Sequence, residues 1–148
     1  MPSNVEAAQY DPDNVFAKIL RGEIPAHKVY EDEHTLAFMD VMPQGPGHTL
    51  VIPKAPARGL LDADPASLAA VAATVQRVAR AVKTAFSADG LTIFQYNEAA
   101  GGQTVFHLHV HVVPRFDGTA LGRHTGKMAD QDLLGIHAAQ IRAALAGA

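Results

Sequence analysis

The chain has 148 residues, enough for one hydrophobic core and too few for two. Hydrophobic residues make up 48% and charged residues 18%, the balance of a globular protein and not of a disordered one. A formal net charge of −3, no cysteine, no basic-then-apolar start and no apolar run of membrane-spanning length argue against nucleic-acid and membrane partners, disulfides and thiol catalysis. These features lead us to expect a cytoplasmic location. A single nucleotide is still compatible with that charge, because backbone N–H groups and histidines hold phosphate locally.

In chain order, residues 1–12 are polar and read as a flexible tail, leaving 13–148 as a single domain. Asp13 or Asn14 is placed to cap a short helix with Phe16, Ile19 and Leu20 on one face, ended by Gly22 and Pro25. Lys28–Glu31 and Thr35–Asp40 read as a hairpin, and His48–Ile52 as a third strand stopped by Pro53. Asp64 and Pro65 then open a long helix with Leu68, Val71, Ala72, Val75, Val78, Ala79 and Val82 at helical spacing. Leu91–Asn97 reads as a fourth strand, Ala99–Gly102 as a glycine-rich loop and Val105–Val113 as a fifth strand closed by Pro114. Asp130–Ala146 is predicted to be a closing helix with Leu133, Leu134, Ile141 and Leu145 inward. Strands and helices in this order give an α+β fold with a mostly antiparallel sheet.

The segment His107–Leu108–His109–Val110–His111 is the strongest chemical signal. In a strand, side chains alternate between faces, so the three imidazoles form one row about 14 Å long, with Phe106, Leu108, Val110 and Val112 opposite. With 8 histidines in 148 residues, such a row arises by chance in roughly one window in 6,000. Such a row can ligate a metal, shuttle protons near neutral pH or attack an electrophile. Gly101 and Gly102 before it favour the last, since a glycine loop lets backbone N–H groups approach a phosphoryl oxygen.

The run Gly102–Gln103–Thr104–Val105–Phe106–His107–Leu108–His109–Val110–His111–Val112–Val113 resembles the signature of the histidine-triad (HIT) family, including its bacterial nucleotide-binding members. The stretches Phe16–Pro25, Val29–Asp32, Leu36–Asp40 and Gly47–Lys54 resemble further family segments in the same order, over roughly residues 14–117. The resemblance implies a five-stranded antiparallel sheet with two main helices and a C-terminal one, residues 116–148 forming a variable extension. It also implies a homodimer and a purine nucleotide or nucleotide conjugate as ligand. The activity implied is hydrolysis at the α-phosphorus through a nucleotidyl-histidine, as a phosphoramidase, with dinucleoside polyphosphate hydrolysis or nucleotidyl transfer as alternatives.

By position, His109 is the expected nucleophile, His107 orients the site, His111 contacts the phosphoryl oxygens or leaving group, and His48 stands beside them. Asp40 is expected on the ribose, Phe16, Ile19, Phe38 and Val41 around the base, Asn97, Gln103 and Thr104 on the phosphate or leaving group, and Val105 among the nucleotide-binding residues. No cofactor is implied. Some bacterial members carry cysteines near the first helix for a structural zinc, and Val15–Phe16–Ala17 offers none, so no such zinc is expected. Read without the resemblance, Asp40 serves equally as a turn carboxylate, His48 as a structural histidine, and Phe16, Ile19 and Phe38 as core. A metal-dependent His-x-His enzyme and a slow nucleotide-binding regulator are the readings of other classes. His27, His34, His124 and His137 receive no role.

Overall fold

The computed structural model describes residues 9–122 and 127–148, so His124 lies outside the described residues. Helix α1 (Val15–Leu20) is capped by Asn14, whose Oδ1 accepts from the N–H of Ala17 at 2.9 Å. Strands β1 (Lys28–Glu31), β2 (Thr35–Met39) and β3 (Thr49–Pro53) form a meander. Asp64 caps helix α2 (Pro65–Ala85), with proline in the first turn as expected. Strands β4 (Gly90–Phe94) and β5 (Val110–Arg115) and helix α3 (Gln131–Ala146) complete the fold. All neighbouring strands are antiparallel, in the order β1-β2-β3-β5-β4. Among the described residues, no helix is long and apolar enough to cross a membrane.

The strand period divides the core between the two faces of the sheet. Ala37, Met39, Val51 and Val112 face Val71, Val78 and Val82 of α2 and Leu134, Ala138 and Ile141 of α3. Leu36, Phe38, Leu50 and Ile52 form a second cluster with Phe16 and Ile19 of α1. Each of these larger side chains, fully buried, stabilises the fold by about 1.5–3 kcal/mol. A polar contact crosses the larger core: the Thr35 hydroxyl donates to Asp32 at 3.1 Å and accepts from the Thr74 hydroxyl at 2.7 Å, where neither threonine reaches water.

Several expectations shift. The fifth strand begins at Val110 instead of Val105, because its β3 partner runs only from Val51 to Thr49 in the register. The N–H of Leu108 instead reaches the carbonyl of Ala57 at 2.8 Å. Pro114 does not close the strand, which runs to Arg115: it pairs with Leu91 of β4, where β3 no longer supplies a partner. Strand β4 stops at Phe94, since the Gln95 and Asn97 side chains bond each other instead of continuing the ladder. Ala72 and Leu133 are exposed, while Thr74 and Ala81 take inward positions on α2. The turn Asp11–Asn14 is also ordered, so structure begins earlier than the expected tail boundary. The C-terminal stretch folds back, with the N–H of Gly122 on the carbonyl of Gln44 at 2.8 Å and Arg142 on the carbonyl of Lys28 at 2.7 Å.

Candidate active site

The triad sits where β5 leaves its ladder, on the α1 face of the sheet. His111 is in register with Leu50 on one side and Phe94 on the other, so it shares a face with Phe38 and Leu50. Leu108 and Val110 point the other way, toward Leu68, Val71 and Val75 of α2. The alternation expected over 108–112 therefore holds, although only Val110–Val112 of it lies in the ladder.

The three histidines are not equivalent. His107 is 0% exposed, and both ring nitrogens are engaged: Nε2 lies 2.8 Å from the carbonyl of Pro53 and Nδ1 2.6 Å from the hydroxyl of Tyr10. The carbonyl can only accept, so Nε2 carries the proton and Nδ1 accepts from Tyr10. His109 is 6% exposed, and its Nδ1 lies 2.7 Å from the carbonyl of His107. By the same logic the proton of His109 is on Nδ1, and the lone pair of Nε2 remains for chemistry. Burial pushes both imidazoles below their ordinary range, outweighing the opposing backbone carbonyls and, at His109, the charge of Asp40. A neutral imidazole is the nucleophilic form.

His111 belongs to a relay with His48. The N–H of Gln44 donates to His48 Nδ1 at 3.0 Å, which places the His48 proton on Nε2. His48 Nε2 is 2.9 Å from His111 Nδ1 and 3.4 Å from Asp40 Oδ2. His111 thus accepts on Nδ1, and in its neutral form holds its proton on Nε2. Its ring lies flat on Phe94, with centroids 4.2 Å apart and an 11° tilt, and 4.9 Å from the ring of His109. Gly47 lets His48 enter here: its φ is +80°, and a Cβ would come within 2.6 Å of the Phe86 ring.

The remaining predicted residues divide clearly. Phe16 meets His109 edge-on at 4.9 Å and Phe38 at 5.3 Å, and Ile19 joins the same cluster, with Val105 packed against it. Val41 packs instead on the α2–α3 cluster, apart from the other residues expected around a base. Asp40 makes the turn contact, with Oδ1 accepting from the N–H of Met42 at 2.8 Å, while its other oxygen faces His48.

The glycine loop differs from its expected form. The N–H groups of Gly101, Gly102 and Gln103 donate within the loop to Glu98 and Ala99, so they do not form an open anion cradle. Gly102 is required instead for its φ of +101°. The Gln103 side chain is buried and holds three backbone groups, those of Glu98, Arg58 and Val105, at 2.7–3.0 Å. Asn97 Oδ1 accepts from Leu60 N–H at 2.8 Å. Both side chains therefore pin the loops beside the site, and Thr104, which is exposed, is the hydroxyl facing outward.

Several contributors escape the sequence reading. Phe94 and Tyr96 wall His111, and their alternate spacing at the end of β4 was the available signal. Arg58 grips Glu98 in a bidentate pair and covers the Phe106 ring at 4.1 Å, a pairing no local pattern announces. Among the described residues, Asp40, His48 and His111 are the set whose ligand atoms cluster, within 4.8 Å of one another. Their donor types suit a divalent cation, but the proton on His48 Nε2 that joins His111 would have to leave first.

Comparison with known proteins agrees with this geometry. The HIT domain model matches residues 21–118. The chain is 36% identical over 130 residues to adenylylsulfatase HINT3 of Arabidopsis thaliana, covering 84% of this chain and 66% of the plant protein. A Hit-like protein of Bartonella henselae superposes with a TM-score of 0.87 at 53% identity, over 92% of this chain and 99% of that one. A zinc-bound histidine triad protein of Mycobacterium smegmatis gives 0.82 at 42% identity, over 91% and 94%. With triad, sheet order and matched segments in agreement, the chain belongs to the HIT domain family.

Proposed function

We propose that this protein hydrolyses conjugates of nucleoside 5′-monophosphates, phosphoramidates first, through a covalent nucleotidyl-His109. The hydrogen bond from His109 Nδ1 to the carbonyl of His107 carries this reading, because it holds the ring proton on Nδ1 and leaves Nε2 unprotonated as the attacking atom. In the reaction, the Nε2 lone pair forms the N–P bond while the bond from phosphorus to the leaving nitrogen or oxygen breaks. The leaving group takes a proton from solvent, while His111, whose Nδ1 accepts from His48, offers its Nε2–H as a hydrogen bond to the leaving atom, and His48 and Asp40 hold that ring in place. A water then attacks phosphorus and loses a proton to solvent, and the N–P bond breaks with its electron pair returning to His109 Nε2. Throughout, His109 Nδ1 keeps its proton and donates it to the carbonyl of His107, so the positive charge of the nucleotidyl-imidazole has a fixed acceptor.

The nucleotide fits between α1 and the triad. Phe16, Ile19, Phe38 and Val105 supply the apolar wall for the base, Asp40 the acceptor for ribose hydroxyls, and Thr104 a donor to phosphate. Gln103 and Asn97 act by fixing the loops. The plant relative is named an adenylylsulfatase, which makes a sulfate leaving group the second reading. We further propose a homodimer through the outer edge of β4. Ile93 is 45% exposed there, and Leu60 and Val75 line an apolar groove beside it. Sedimentation would show a dimer that Ile93→Lys weakens.

The test is turnover of adenosine 5′-phosphoramidate, adenylyl sulfate and a dinucleoside triphosphate by wild type and His109→Ala, with EDTA present. Fastest release of AMP from the phosphoramidate by wild type, with a trapped nucleotidyl adduct on His109, supports the proposal. Preference for another conjugate keeps the mechanism and moves the substrate. Tight AMP binding without turnover of any of the three overturns the hydrolase reading.

A further inference from the structure

We infer that Tyr10, outside the segment that matches the family model, is a positioning residue for the nucleophile, its hydroxyl locking His107, whose carbonyl holds His109. The inference rests on His109 being the nucleophile. The Tyr10 hydroxyl lies 2.6 Å from His107 Nδ1, and the two rings meet edge-on at 5.5 Å. A neutral imidazole has one donor and one acceptor, and His107 uses its donor on the carbonyl of Pro53. Tyr10 therefore satisfies the remaining nitrogen of a ring with no exposure to water. Removing that hydroxyl leaves a buried acceptor unpaired, which favours any ring rotation or backbone shift that relieves it. A shift at residue 107 moves the carbonyl that accepts from His109 at 2.7 Å, and with it the direction of the attacking lone pair.

The tyrosine is held to this task by its neighbours. Asp11 accepts from Asp13 N–H and from the Asn14 side chain, and Arg21 donates to the carbonyl of Pro12 at 2.6 Å. The segment is thereby tied to α1, whose Phe16 packs on the edge of His109. One docked turn and its helix thus contact both the orienting and the nucleophilic histidine.

The experiment is histidine side-chain nitrogen NMR on the full wild-type chain and Tyr10→Phe, with the rate of nucleotidyl-enzyme formation measured alongside. Wild type should show His107 protonated on Nε2 and accepting on Nδ1. In Tyr10→Phe the His107 Nδ1 signal should move, and the His109 Nδ1 proton should exchange about fivefold faster or more. Nucleotidyl-enzyme formation should fall about tenfold, with KM changed less than about twofold. A wild-type His107 protonated on Nδ1 overturns the inference without any variant. So do imidazole signals that Tyr10→Phe leaves in place, even if the rate falls. Because the NMR arm needs no substrate, a wild type inactive on every conjugate tested would count against the proposed activity and leave the positioning inference separately decided.

Discussion

The two faces of the sheet are made by the same strands with opposite parity, and they use burial for different ends. Toward α2 and α3 the contacts are almost entirely apolar, and the buried Thr35 and Thr74 hydroxyls bond each other. Toward α1 the same depth of burial encloses imidazoles, and their nitrogens are held by Pro53, Tyr10, the carbonyl of His107, Gln44 and each other. Apolar packing is non-directional, so the first face tolerates changes of shape at a cost in stability. Hydrogen bonds are directional, so the second face should lose rate well before it loses its fold. Substitutions on either side test that contrast.

The largest effect should come from His109→Ala. Nucleotidyl transfer should drop by about a thousandfold or more, with the thermal midpoint nearly unchanged. Mass spectrometry of quenched reactions would check it, since an adduct still forming in the variant would move the nucleophile elsewhere. On the opposite face, Ile141→Ala removes a fully buried side chain of α3 and should cost about 2–5 kcal/mol in denaturant unfolding. The turnover number per folded molecule should stay as in wild type, and a matching fall in turnover would erase the distinction between the faces.

Phe94→Leu should be milder. It removes the ring stacked on His111 while keeping an apolar side chain, and the rate should fall about two- to tenfold with little change in stability. The smallest effect is in pH. Burial lowers the pKa of His107 and His109, so the unfolded chain binds protons more readily than the folded one as pH falls below 6.5. Their contribution to stability is therefore complete above 6.5 and declines below it. NMR titration should place the His109 midpoint under 6.5, and a midpoint above that value would contradict the burial argument. Away from both faces, Asp32 shows the opposite sign. Burial alone would raise its pKa, but the N–H groups of His34 and Thr35 and the hydroxyls of Tyr30 and Thr35 bring it down to about 2. Its share of stability is accordingly held above about 3.8 and lost as pH falls through about 2.

Much of this was legible in the sequence where a rule acts locally. Asp64 followed by Pro65 announced the start of α2, and the alternation of histidine with apolar residues gave the two faces of 108–112. The strand end at 105–109 was not legible, because it depends on where β3 stops supplying partners. Gly101 and Gly102 looked like an anion loop, yet their N–H groups close the loop on itself. Gln103 looked like a phosphate ligand, yet its side chain holds three backbone groups.

By itself the sequence determined the reactive groups on hand: three imidazoles at alternate positions, a fourth histidine after a glycine, and no thiol. Side-chain identity and spacing are local properties, and a strand period turns them directly into a shared face. Only the tertiary structure decided which nitrogen of each histidine carries the proton. A ring nitrogen is donor or acceptor according to its partner, and for two of the triad the partners come from far along the chain: Tyr10 and Pro53 for His107, and His48 for His111. His48 and His109 also have local partners, their Nδ1 atoms meeting groups four and two residues away.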